Sequence, residues 1–196
     1  MSIHDLWPAL AALGGGASGF GTIFQVAPPT VAGGEWTESV VYTFTDLAGG
    51  SSPQVGLTAG KDGVLYGTTP SGSGRSLYGT AFEFAPPAET GGTWTFTSLA
   101  NFGPARGTMP NLVTLNKAGA LYGTAAGGSS NDGLIFQLKS STAGQPWTVT
   151  VLQSLSGTDG ATPVGSLLLS TSGLYGAALY GGDPNCNCGA VYEVVP

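Results

Sequence analysis

The residues able to do chemistry in this chain are few: one histidine, His4, two cysteines, Cys186 and Cys188, five lysines and arginines in total, and eleven acidic residues. A serine triad needs an imidazole base. His4 sits in the N-terminal tail, where side chains are usually solvated, and no Gly-x-Ser-x-Gly elbow occurs. Glycoside hydrolysis needs two carboxylates across a cleft. The acids here are scattered: Glu35 and Glu38 in a strand-like phrase, Asp62 and Asp159 in turns, Glu83 and Glu193 at matching points of repeated phrases whose other copies carry Gln25 and Gln137. A position shared by every copy reads as structure, so no catalytic residue is expected. Asp62-Gly63, Asn131-Asp132-Gly133 and Asp159-Gly160 are turn signals. No stretch gathers the six or more oxygens that calcium takes. Cys186 and Cys188 flank a single residue. With one histidine elsewhere they cannot close a four-ligand zinc site, and they are read as a tight, reducible loop bridge or as two thiols. Neither a metal nor a cofactor is expected.

Composition narrows the partners. The formal net charge is −6 and the pI about 4.3, so there is no basic surface for a phosphate backbone and nucleic acid is not an expected partner. The longest apolar runs, such as Ser166-Leu167-Leu168-Leu169, fall far short of the roughly 20 residues that cross a bilayer as a helix. Charged residues make up 8% against roughly 25% in ordinary soluble domains. Aromatics reach 10%, which a disordered chain would not carry.

The elements that must position any site are repeated phrases. Leu65-Tyr66-Gly67-Thr68-Thr69, Leu121-Tyr122-Gly123-Thr124-Ala125 and Leu174-Tyr175-Gly176-Ala177-Ala178 are copies of one another. Each precedes a Gly-x-x-Phe phrase: Gly79 to Phe84, Gly133 to Leu138, Gly189 to Val194. A Trp-Thr phrase follows an earlier copy of the second, at Trp36, Trp94 and Trp147, then a Pro phrase at Pro53, Pro110 and Pro163. Trp36 and Trp94 are 58 residues apart, Trp94 and Trp147 53. Within Trp94 to Phe102, period-two alternation puts Trp94, Phe96, Ser98, Ala100 and Phe102 on one face. The three tryptophans are expected at equivalent buried or half-buried positions, and Tyr66, Tyr122 and Tyr175 as packing residues. Leu6-Trp7-Pro8 reads as a degenerate first copy, with Pro8 at the Gly position, in preference to a helix over Trp7 to Leu13.

Four strand-like phrases in roughly 55 residues, with Gly-rich turns between them, predict an all-β fold of β-propeller-like tandem repeats. The expected count is 14 strands in four-stranded antiparallel sheets, about three and a half units: 6–58, 59–115, 116–169 and a half unit 170–196, in a single repeat domain 1–196. The Gly of Leu-Tyr-Gly is placed on the innermost strand, where room is smallest. Propellers close at about 4–8 blades, so the chain is expected to associate with itself, as a homo-oligomer or a filament, two copies supplying seven units' worth of strands, in preference to being a fragment of a longer natural chain.

Asp62-Gly63-Val64-Leu65-Tyr66-Gly67-Thr68-Thr69 with its following Gly-Thr-x-Phe-Glu-Phe, and Cys188-Gly189-Ala190-Val191-Tyr192-Glu193, resemble the bacterial GloVer tandem repeats. The resemblance implies an exported or cell-surface, propeller-like protein and brings no known activity. Met1-Ser2-Ile3-His4-Asp5-Leu6 lacks the positive n-region of a secretory signal, which leaves open a signal already removed, a fragment, or a chain that stays in the cytosol. The expected function is that of a non-enzymatic extracellular repeat protein with a structural, self-assembling or surface-interaction role. The alternative is a propeller that binds carbohydrate or another small ligand, and a propeller hydrolase or lyase ranks below both. A ligand site would lie where the copies differ, in the loops between first and second phrases. Arg75, Asp132, Tyr180 and Asp183 are the candidate ligand contacts, and glycans the candidate ligands.

Overall fold

The computed structural model describes residues 9–12, 14–45, 49–53, 56–72, 78–89, 92–140 and 146–195. Every sheet is antiparallel, and no α-helix occurs among these residues. Sheet I holds β1 (Ala9–Ala12), β2 (Thr22–Ala27) and β3 (Thr37–Thr43). Sheet II holds β4 (Thr58–Ala59), β5 (Leu65–Thr69), β6 (Thr80–Ala85) and β7 (Thr95–Asn101). Sheet III holds β8 (Thr114–Leu115), β9 (Leu121–Ala125), β10 (Leu134–Ser140) and β11 (Trp147–Ser154). Sheet IV holds β12 (Ala161–Leu169), β13 (Leu174–Tyr180) and β14 (Ala190–Val194). Strands neighbour one another in chain order throughout, so each sheet is a meander.

The strands group as three, four, four and three. Each Pro-phrase strand pairs with the Leu-Tyr-Gly strand that follows it (β4 with β5, β8 with β9, β12 with β13) and not with the Trp-Thr strand before it. The sheets therefore begin one phrase earlier than the units drawn on the sequence. Leu-Tyr-Gly is also an interior strand of sheets II, III and IV, not the innermost edge.

Its glycine makes room for a neighbouring ring. Gly67, Gly123 and Gly176 stand directly across from Phe82, Phe136 and Tyr192, and a Cβ on Gly123 would lie 2.7 Å from Phe136 Cζ. The ring of one phrase lies over the glycine of the other, which ties the two motifs together in these three copies. In sheet I, Leu10 stands across from Phe24 at this position. The degenerate copy is thus offset by two residues from the alignment that put Pro8 there, and Pro8 itself lies outside the described residues. The ladder counts outward from the turn, and proline offers no N–H to it.

The sheets stack in chain order, and each gap is an apolar layer. Ile23, Phe44, Phe82 and Phe84 fill the gap between I and II, with Tyr42 and Phe96 stacked 4.8 Å apart beside them. Leu99, Phe102, Val113, Leu121, Leu134, Phe136 and Leu138 fill the gap between II and III. Tyr122, Ile135, Leu155, Leu167, Leu174, Tyr192 and Val194 fill the last. Each inner sheet is thus buried on both faces.

A β-bulge recurs between the second and third strands of sheets I, II and III, leaving Val41, Leu99 and Leu152 without a cross-strand partner. The extra residue turns the remainder of the strand to the other face. It breaks the uninterrupted alternation expected from Trp94 to Phe102: Phe96 packs on Phe82 toward sheet I, whereas Leu99 and Phe102 pack toward sheet III.

The tryptophans diverge for the same architectural reason. Trp94 stacks on Phe84 at 4.6 Å, and Trp147 lies 6.2 Å from Tyr66 of the preceding sheet. Trp36 is 58% exposed, against expectation. Its face of sheet I has no preceding sheet among the described residues.

One joint connects the sheets. Ser52, Met109 and Thr162 each precede the proline of a Pro phrase, have left-handed φ of 56°, 47° and 58°, and donate their N–H to the carbonyls of Phe20, Tyr78 and Asp132 in the preceding unit. Those carbonyls immediately precede Gly21, Gly79 and Gly133, all at positive φ. A Cβ on Gly79 or Gly133 would strike the ring of Pro110 or Pro163. Glycine and proline are conjugate parts of this joint.

Candidate functional site

In an antiparallel meander, alternate connections fall at the same end. The β9–β10 loop, the β11–β12 connection and the β13–β14 loop therefore meet beside one another, where sheet III hands over to sheet IV. They enclose a groove of about 780 Å³. Its polar lining comes from Asp132 of the first loop, Ser156 and Thr158 of the second with Thr162 at the start of β12, and Asp183 and Asn187 of the third with Tyr180 at the end of β13. Three of the four candidate ligand residues, Asp132, Tyr180 and Asp183, thus line one groove. Arg75 lies outside the described residues.

The groove walls are held by backbone geometry. Asp132 keeps its place because its carbonyl accepts the Thr162 N–H at 2.7 Å. Asn187, itself at φ 52°, accepts the Gly181 N–H on Oδ1 at 2.6 Å. Asp183 Oδ1 accepts both the backbone N–H and the side-chain amide of Asn185, each at 2.8 Å, which curls the loop into an Asx turn. Cys186 and Cys188 are joined as a disulfide within that same loop. Tyr180 is 52% exposed at the rim.

Two carboxylates, hydroxyls, an amide and an exposed phenol ring can hydrogen-bond and stack on a neutral polyol. They offer no cation to an anionic ligand. Among the described residues no group of three or more His, Cys, Asp or Glu side chains could hold a metal ion. Sequence reasoning found the two Leu-Tyr-Gly loops but missed Ser156, Thr158 and Thr162. The signal was parity: counting strands puts the sheet-to-sheet connection at the same end as those loops.

The acids at repeat positions have cross-strand partners. Tyr66, Tyr122 and Tyr175 face Glu83, Gln137 and Glu193 across the ladder. Gln137 Nε2 donates to Tyr122 Oη at 2.7 Å, and Tyr175 Oη donates to Glu193 Oε1 at 2.6 Å. Burial first, then the Glu83 carboxylate beside it, pushes the Tyr66 hydroxyl up to about 12. Burial alone pushes Tyr192 up to about 12, and Tyr192 Oη has no hydrogen-bond partner.

A second surface feature lies on sheet IV. Its outward face presents Val164, Leu168, Leu179, Val191 and Val195, the last two 80% and 73% exposed. Val164, Ala177 and Val191 form one cross-strand row there.

A family model described as the Gloeobacter/Verrucomicrobia repeat matches residues 11–192. No curated protein and no solved structure matches the chain.

Proposed function

Because the chain belongs to the Gloeobacter/Verrucomicrobia repeat family, we propose that it is a non-enzymatic, propeller-like repeat protein that works outside the cell through self-association and surface contact. The observation that carries this reading is the apolar outward face of sheet IV. Contiguous exposed apolar patches of this kind mark interaction sites, and a bare sheet face in a stack of sheets needs a cover. Stacked four-stranded meanders of about 55 residues are the sequence signature of propeller blades, which supports treating the four sheets as blades. The Cys186–Cys188 bridge supports an oxidising, extracytoplasmic setting. Light scattering coupled to size exclusion at micromolar concentration tests the reading. A mass at a multiple of 19.5 kDa is expected, and a monomer at every concentration would refute it.

A second reading is favoured by the groove between sheets III and IV, where Asp132, Tyr180 and Asp183 converge: binding of a neutral carbohydrate. A glycan array is expected to give hits that Tyr180→Ala abolishes. An array with no hits removes this reading and leaves the first intact.

A further inference from the structure

We propose that the occupant of the sheet IV face is a second copy of this chain, docked head to tail so that the outer face of its sheet I covers sheet IV. This rests on the self-association proposed above and adds which faces meet, and in which polarity.

The chain already makes this contact three times. On the side facing the next sheet, Ile23, Ala81, Ile135 and Val191 are the same ladder position, third in each Gly-x-x-Phe phrase. The first three are 0%, 1% and 0% exposed under the following sheet, and Val191 is 80% exposed. On the side facing the previous sheet, Phe82, Phe136 and Tyr192 are buried, whereas their counterpart Phe24 is only half-buried, as is Val26 beside it. The exposed face of sheet IV and the partly buried outer face of sheet I are thus the two halves of a contact that the molecule repeats internally.

Polar groups say which sheet fits. In the contacts of sheet II with sheet III and of sheet III with sheet IV, side chains of one sheet donate to backbone carbonyls of the next sheet's Pro phrase. Thr58 Oγ1 donates to Val113 O, and Thr114 Oγ1 to Leu167 O at 2.7 Å. Thr68 Oγ1 reaches Asn111 O at 3.0 Å, and Asn111 Nδ2 reaches Pro163 O at 2.9 Å. Sheet IV has no such donors at these positions. Leu168 stands across from Tyr175 as Thr58 and Thr114 stand across from Tyr66 and Tyr122. Ala177 stands across from Val191 as Thr68 and Thr124 stand across from Ala81 and Ile135. Val164 takes the place beside Ala177 that Asn111 takes beside Thr124.

A face stripped of donors would leave the carbonyls of a Pro-phrase strand unsatisfied. It suits a sheet face built without that strand, as that of sheet I is among the described residues, where its three strands begin with the Leu-Tyr-Gly equivalent β1. The outer margin agrees. Among the described residues sheet IV holds no Trp-Thr strand to lie over the partner's β3. The contact is therefore centred on β12, β13 and β14 of one copy and β1 and β2 of the other. It is heterologous: two copies closing on each other make a stack of eight sheets, within the range in which propellers close, and a failure to close makes a filament.

The test uses complementary variants of the full chain, with circular dichroism as the check on folding. Val191→Asp places a charge on the sheet IV face, and Phe24→Asp places one on the sheet I face. Val26→Asp replaces the latter if it does not fold. Each alone is expected to weaken self-association roughly tenfold or more. An equimolar mixture is expected to form a heterodimer, because each variant retains one good face of opposite kind. Association of the wild type that survives Val191→Asp, or a Phe24→Asp (or Val26→Asp) protein that still dimerises through sheet IV against sheet IV, overturns the head-to-tail assignment and leaves self-association standing. A monomeric wild type removes both.

Discussion

Gly123 and Phe136 are the sharpest test of why the two repeat motifs travel together. Phe136 is fully buried between sheets II and III, so Phe136→Ala should cost about 3–5 kcal/mol through lost burial and the cavity left behind. In Gly123→Ala the added Cβ would stand 2.7 Å from Phe136 Cζ, 3.1 Å from its Cε1 and 3.2 Å from Val113 Cγ1, where carbon contacts ordinarily settle at about 3.5–4.0 Å. The closest clash is with a ring that its own packing holds in place, so overpacking should cost about 1–3 kcal/mol. Independent effects would sum to about 4–8 kcal/mol. In the double variant the ring that clashes is gone and the new methyl enters the space it vacated. The total should then stay near the cost of Phe136→Ala alone, a coupling of about 1–3 kcal/mol. Urea unfolding followed by tryptophan fluorescence measures all three. For a chain of this size each kcal/mol also moves the thermal midpoint by about 2–4 °C. Additivity within about 0.5 kcal/mol would refute the claim that the glycine exists to seat the ring.

Thr114→Val removes the hydroxyl that donates to Leu167 O across the gap between sheets III and IV and should cost about 1–2 kcal/mol in the same unfolding assay; a neutral result would mean that water or another donor satisfies that carbonyl. Tyr192→Phe restores the residue type of Phe82 and Phe136 and removes a buried hydroxyl with no partner, so it should be neutral or stabilise by up to about 1 kcal/mol; a clear loss of stability would contradict the packing described. Tyr66 and Tyr192 hold their protons to about pH 12 in the fold but only to about pH 10 when unfolded. Their contribution is complete below pH 10 and lost as pH rises toward 12. Stability should therefore fall between pH 10 and 12, with two tyrosines ionising late in an ultraviolet titration, one of them absent in Tyr192→Phe.

Much of the fold was legible because the repeat states its grammar in residues that physics constrains: glycine where a ring must lie, proline where the next sheet starts, Gly-rich turns between. The phrase count matched the 14 described strands, since alternation and turn chemistry mark strands locally. Pairing was less legible. Nothing local says whether the Pro phrase joins the strand before or after it; that choice is made by the docking of Ser52, Met109 and Thr162 onto carbonyls of the preceding unit, a contact over long sequence separation. The bulges at Val41, Leu99 and Leu152 were hidden for the same reason, because an extra residue still looks like continuing alternation. For the groove, the variable loops pointed to Asp132, Tyr180 and Asp183, but Ser156 and Thr158 of the β11–β12 connection and Thr162 at the start of β12 needed the sheet order. Trp36 was misplaced because sequence equivalence carries position within a sheet but not whether another sheet lies in front of it.

The central claim, a stack of sheets completed by further copies of itself, is met most directly by electron microscopy of the purified chain at micromolar concentration. Closed rings built from four-sheet units, or filaments of them, are the predicted particles. Dispersed single chains at every concentration, with no ring or filament class, would contradict the account.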